Sequence, residues 1–170
     1  MTTNFEDAFD FEVHEYVLHN LRFLDEILVG LNASPILSNP DFLLEKDSSG
    51  TNGVNFKVRS SVNPNAIEMW LLVESWGIRL DIDGIREAFE WTNKEILESK
   101  DRVATLIKHL FTGYILVDTR RGSKFVQILD LRGFFIDSFS QNNWLHTLTG
   151  LYLWRKGTSR RLFLPFIHSD

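Results

Sequence analysis

The chain has 170 residues, 44% of them apolar and 14 of them Phe, with no cysteine and a formal net charge of −5. A chain of that size can bury a core without staples, and the composition excludes disorder, a disulfide framework, thiol catalysis and every sulfur-ligated zinc site. The net charge conceals a gradient, since residues 1–52 carry ten acidic and two basic side chains while residues 100–170 carry five acidic and eleven basic; such segregation points to a binding surface.

Apolar positions Val13, Val17, Leu21, Leu24, Leu28 and Leu31 recur at three- and four-residue steps, with only Asn20 interrupting the stripe. That spacing predicts an amphipathic helix over residues 6–31, opened by Glu6, Asp7 and Asp10 at its positive end and closed by Gly30 and Asn32. The start Met1-Thr2-Thr3-Asn4-Phe5 has neither the positive charge nor the apolar run of a secretory leader. Nor does any apolar stretch reach the roughly 18 residues a membrane span needs, so a cytoplasmic protein without membrane contact is expected. Residues 33–53, with Pro35, Pro40 and the run Lys46-Asp47-Ser48-Ser49-Gly50, offer turns and little to bury; a long exposed loop is expected there.

Val54, Phe56 and Val58 alternate strictly, Ile67 to Val73 form an apolar run, and Ile78, Leu80 and Ile82 alternate with Arg79, Asp81 and Asp83, which reads as a three-stranded antiparallel meander. Asp83 stands where an N-cap belongs, ahead of Ile85, Ala88, Phe89, Thr92 and Ile96 at helical spacing, so a second helix is expected directly after it. A third is predicted from an Ser99 N-cap through Val103, Leu106, Ile107, Leu110 and Phe111, with Gly113 turning left-handed at its end. Beyond Gly113 the pattern becomes strands over 114–119, 124–131 and 134–139, with turns at Arg121-Gly122 and Arg132-Gly133, then a final hairpin of 148–154 and 162–167 about Gly157. Pro165 places the last strand at a sheet edge or ends it. Together these predict one α+β domain over residues 1–170, an antiparallel sheet of meanders and hairpins packed on about three helices.

Catalytic patterns are weak. Asp81 and Asp83 in Asp81-Ile82-Asp83-Gly84 lack the third oxygen ligand and the later Glu of a calcium loop, and Glu98-Ser99-Lys100 falls at a helix junction rather than on a nuclease strand. The five histidines form no metal pair, and neither a Gly-x-Ser-x-Gly elbow nor a Gly-x-x-x-x-Gly-Lys loop occurs. No cofactor and no metal are therefore called for. What remains is a set of candidate partner-binding residues: Arg120, Arg121 and Lys124 on one predicted hairpin tip, and Arg155, Lys156, Arg160 and Arg161 on another. Guanidinium groups on neighbouring tips suit carboxylates or phosphates if they converge. To these are added Trp76 in the turn Ser75-Trp76-Gly77 and Trp91, which helical phase places off the apolar stripe beside Glu87, Glu90 and Glu95. The expected function is a non-enzymatic module that binds another protein, of the bacterial immunity or inhibitor type. Nucleic-acid or phosphate binding through the C-terminal arginines stands second, because a pI of about 5.5 opposes extended nucleic-acid contact; an enzyme with a site assembled from scattered residues stands third.

Overall fold

Nine strands and three α-helices appear in the computed structural model, which describes residues 14–45, 53–61, 63–120, 123–141 and 159–166. Helix α1 (Glu15–Val29) is shorter than the helix predicted over 6–31: His14 is an extended N-cap, so the helix starts at Glu15, and Glu6, Asp7 and Asp10 lie outside the described residues. His14 Nδ1 accepts from the Tyr16 amide to cap it, and Gly30 ends it, with Asn32 at φ 57° turning the chain away. After a 3-10 turn at Ile36–Ser38 comes β1 (Phe42–Glu45), within what the sequence marks as loop. Four residues with one buried Phe are too short to show alternation, and only pairing with β2 (Val54–Val58) makes them a strand.

The meander follows as predicted, with β2, β3 (Met69–Glu74) and β4 (Gly77–Ile82) pairing antiparallel. Beyond it the expected helix at Gly84 is replaced by a fifth strand, β5 (Ile85–Thr92), and a short helix α2 (Asn93–Glu98). Asp83 at φ 50° and Gly84 at φ 75° form a two-residue hairpin turn, so Asp83 is no N-cap; two successive left-handed residues match the twist of paired strands. The helical spacing is a by-product of a bulge. Leu80 pairs with Phe89 and Ile82 with Ile85, so β4 advances two residues while β5 advances four, with Glu87 at φ 55°. That irregularity leaves Ile85, Ala88 and Trp91 buried at three-residue steps.

Helix α2 begins with a capping box: the Thr92 hydroxyl accepts from Glu95 N, and the Glu95 carboxylate accepts from Thr92 N at 2.8 Å. Those donors from Thr92 hold the Glu95 carboxyl below its ordinary range. Its stabilising contribution is therefore present above that range and lost as pH falls through the folded value. Thr92→Ala is expected to cost about 1 kcal/mol at neutral pH, and less in acid, as chemical denaturation at the two pH values would show.

Helix α3 (Lys100–Thr112) is the predicted third helix, although Ser99 makes no side-chain cap. Gly113 is extended, at φ −92°, rather than left-handed; glycine is required because a Cβ would lie 2.2 Å from the Leu129 carbonyl oxygen. Val103, Ile107, Leu110 and Phe111 are buried, whereas Leu106 is only half-buried.

The second sheet has the order β8-β7-β6-β9, from β6 (Tyr114–Arg120), β7 (Ser123–Leu129), β8 (Phe135–Gln141) and β9 (Ser159–Phe163). Gly133 at φ 82° makes the expected β7–β8 turn, where the Asp130 carboxylate accepts from Arg132 N and Phe134 N. Residues 148–154, the first arm of the predicted last hairpin, lie outside the described residues. Its second arm is shifted: β9 pairs with β6 and stops short of Pro165. Phe166 then enters the core against Phe111, and Asn63 Nδ2 donates to the Pro165 carbonyl.

Helix α1 packs across β3 and β4 and against α3, α3 packs on β6, β7 and β8, and β5 meets β8. One apolar cluster joins all of these, from Leu21 and Leu24 through Phe56, Leu71 and Ile78 to Phe111, Val117 and Val126. The architecture is α+β, with two antiparallel sheets of five and four strands and three α-helices among the described residues. No described helix is long and apolar enough to cross a membrane.

Candidate functional site

Alternation in the five-stranded sheet sends Phe56, Leu71, Val73, Ile78 and Leu80 into the core and Lys57, Trp70, Leu72, Arg79 and Asp81 to the opposite face. Register puts Trp70 between Lys57 and Asp81, and Leu72 between Asn55 and Arg79. These side chains are half-buried, and Asn55, Trp70, Leu72, Arg79 and Asp81 floor an open cleft of about 750 Å³.

The floor is held by its own charges. Lys57 Nζ lies 5.0 Å from the Trp70 ring centre and 2.9 Å from Glu68 Oε1, and the hydrogen bond from Lys57 holds the Glu68 carboxyl below its ordinary range. Arg79 Nε is 3.5 Å from Asp81 Oδ1 and its NH1 is 3.9 Å from Glu87 Oε1. Asp81 Oδ1 also accepts from Glu87 N at 2.7 Å, which fixes the bulge of β5 at the rim. Arg79 Nε is itself buried and, among the described residues, meets Asp81 as an ion pair without a hydrogen bond.

At the end of the cleft lies the Asp83–Gly84 turn, where predicted basic residues come together. Lys124 Nζ from β7 is 3.0 Å from Asp83 Oδ2 and 2.5 Å from the Asp83 carbonyl oxygen, and Arg161 NH2 from β9 is 2.5 Å from the same Oδ2. Arg160, next to Arg161, points from the other face of β9 and stands opposite Asp118 in the register. Arg121, Arg155 and Lys156, with the side chain of Arg120, lie outside the described residues.

The two tryptophans separate. Trp76 sits in the Ser75–Trp76 turn between β3 and β4, 37% exposed, and its carbonyl accepts from Asn93 N at 2.8 Å. It stands at the opposite end of β4 from Asp83, about 20 Å away by strand rise, and takes no part in the cation cluster. Trp91 is only 8% exposed, contrary to its expected place on an acidic helix face. It is on β5, opposite the fully buried Ile78, and its ring stacks on Phe89 at 5.9 Å.

Asp25, remote in sequence from the cleft, has its carboxyl raised by burial, opposed by the amide of Ile36 at 2.7 Å. Each displaced carboxyl, Asp25, Glu68 and Glu95, thus answers to a structural contact. Among the described residues no group of three His, Asp or Glu side chains could hold a metal ion. What the arrangement offers chemically is recognition, by a half-buried Trp and Leu framed by guanidinium, ammonium and carboxylate groups. Sequence reasoning passed over Trp70, Leu72 and Arg79. The signal was the unbroken run Met69-Trp70-Leu71-Leu72-Val73, apolar on both faces of a strand, where the neighbouring strands β2 and β4 carry polar residues outward.

No family model matches the chain, and no curated protein or solved structure is significantly similar to it.

Proposed function

We propose that the chain is a non-enzymatic module that binds a protein partner on the outer face of its five-stranded sheet. The observation that carries this reading is the placement of Trp70 and Leu72 on the face opposite the core, at the floor of a cleft ringed by charge. A strand that only closed a core would need no large apolar groups there. Charged groups at the rim orient a mixed-charge partner, and Trp70 and Leu72 supply the area to be desolvated. A bacterial immunity or inhibitor role is the narrower form of this proposal and requires, beyond binding, that the partner lose its activity.

Affinity capture from native extract with and without nuclease treatment, run with the full chain and with Trp70→Ser at two salt concentrations, tests it. A protein retained by the natural chain is expected to bind about 2 kcal/mol more weakly to Trp70→Ser, while the variant's far-UV spectrum stays unchanged. Equal retention by both chains overturns the assignment of this face, and retention that vanishes with nuclease treatment favours nucleic-acid binding through the basic strands.

A further inference from the structure

We infer that Lys124 and Arg161 form an anion site for a phosphoryl group, which the Asp83 carboxylate occupies as an internal placeholder. The two cations come from different strands of the four-stranded sheet and meet at a single oxygen, Asp83 Oδ2, across the junction with the five-stranded sheet. One carboxylate balances one of these two charges, and Arg86, exposed two residues past the turn glycine, lines the same cleft as Asp83. Among the described residues, Asp83 is the one carboxylate paired with both cations. Of the five guanidinium N–H groups of Arg161, Asp83 engages one among the described residues. A phosphoryl group brings nearly two charges and three strong acceptor oxygens, which suits this donor set better than a monoanionic carboxylate.

Two features make exchange feasible. The Arg161 guanidinium lies 5.3 Å from the Phe163 ring centre, which sets its orientation independently of Asp83. Lys124 and Arg161 side chains are 32% and 50% exposed, so a ligand reaches them from solvent, and ion pairs at such exposure are individually weak. Asp83 sits in a two-residue turn at φ 50°, and its carboxylate can swing out by side-chain rotation without breaking the strand ladder. This site is independent of the protein-binding reading, since it is probed with a different ligand.

The test uses the full chain titrated with inorganic phosphate at constant ionic strength, balanced with chloride, following the amide resonances of Gly84 and Lys124 and the midpoint of thermal unfolding. Asp83→Asn removes the placeholder charge and keeps the turn, because Asn-Gly is favoured at paired left-handed positions. Phosphate is expected to bind Asp83→Asn about tenfold more tightly than the natural chain, the size of one charge-assisted hydrogen bond gained. Lys124→Gln with Arg161→Gln should abolish the response in both backgrounds. Equal affinity of the natural chain and Asp83→Asn, no phosphate-specific response in either, or a response surviving Lys124→Gln/Arg161→Gln overturns the inference. If Asp83→Asn failed to fold, the natural chain against Lys124→Gln/Arg161→Gln would decide it alone: loss of the response sustains the site, and an unchanged one rejects it.

Discussion

Trp91→Ala is expected to lower the free energy of unfolding by about 3–5 kcal/mol, the range for deleting a large aromatic side chain from a core. Trp91 lies opposite Ile78, itself fully buried, and stacks on Phe89, whose ring contacts Phe139 of β8 at 6.3 Å. Truncation would open a cavity where the two sheets meet, and close-packed rings have little freedom to collapse into it. Trp76→Ala is the control. At 37% exposure in a turn, that side chain should cost about 1 kcal/mol or less. Urea unfolding of both variants separates them; a loss below about 1 kcal/mol for Trp91→Ala would show that the seam between β5 and β8 does not contribute as described.

The second large effect is expected at Asn20, the residue that breaks the apolar stripe of α1. It is fully buried, and its amide nitrogen donates to Asn93 Oδ1 at 2.9 Å and to the Glu74 carbonyl at 3.3 Å. Asn93 in turn donates to the Ser75 carbonyl at 2.7 Å, so one polar chain ties α1 to the β3–β4 turn and to the start of α2. Asn20→Asp replaces a donor with a carboxylate facing two acceptor oxygens, and about 3–5 kcal/mol should be lost at neutral pH, as for a buried charge left without a partner. Turning the Asn93 amide to donate instead would forfeit its bond to Ser75. Burial raises the folded-state pKa of the new carboxyl above its unfolded value, so the deficit should grow as pH rises through the ordinary Asp range and shrink in acid. Asn20→Ala, which leaves two acceptors unsatisfied but adds no charge, should cost less, about 1–3 kcal/mol, and show no such pH dependence. Equal losses at pH 4 and pH 7 for Asn20→Asp would rule out the buried-charge account.

Much of the fold was legible in local pattern. The α1 and α3 stripes, the β2–β4 meander and the strands from Tyr114 to Gln141 follow from periodicity and turn residues, because their patterns are regular, with one register shift at Ile128/Leu129 near the end of β7. The error at residues 84–96 was different in kind. Asp83-Gly84 between alternating apolar positions is a strong hairpin signal, and Thr92-Asn93-Lys94-Glu95 has capping-box spacing, so both true boundaries were written in the chain. The bulge at Glu87 disguised them by imposing a three-residue burial rhythm on a strand. That misreading placed Trp91 on a surface it does not occupy.

The candidate site was half legible. Composition marked two basic hairpin tips that include Lys124 and Arg161, yet the oxygen these two meet belongs to Asp83, 41 residues before Lys124 and 78 before Arg161. No local pattern encodes a contact between sheets.

By itself, then, the sequence determined what is local and periodic: a cysteine-free α+β chain, its main helices, most of its strands, and charge gathered toward one end. Only the tertiary structure decided which face of the five-stranded sheet stays open, that Trp91 is core while Trp70 floors a cleft, and that two cations of one sheet close on a carboxylate of the other. The physical reason is that propensity and periodicity act over a few residues, whereas burial and ion pairing depend on which distant segments packing brings together.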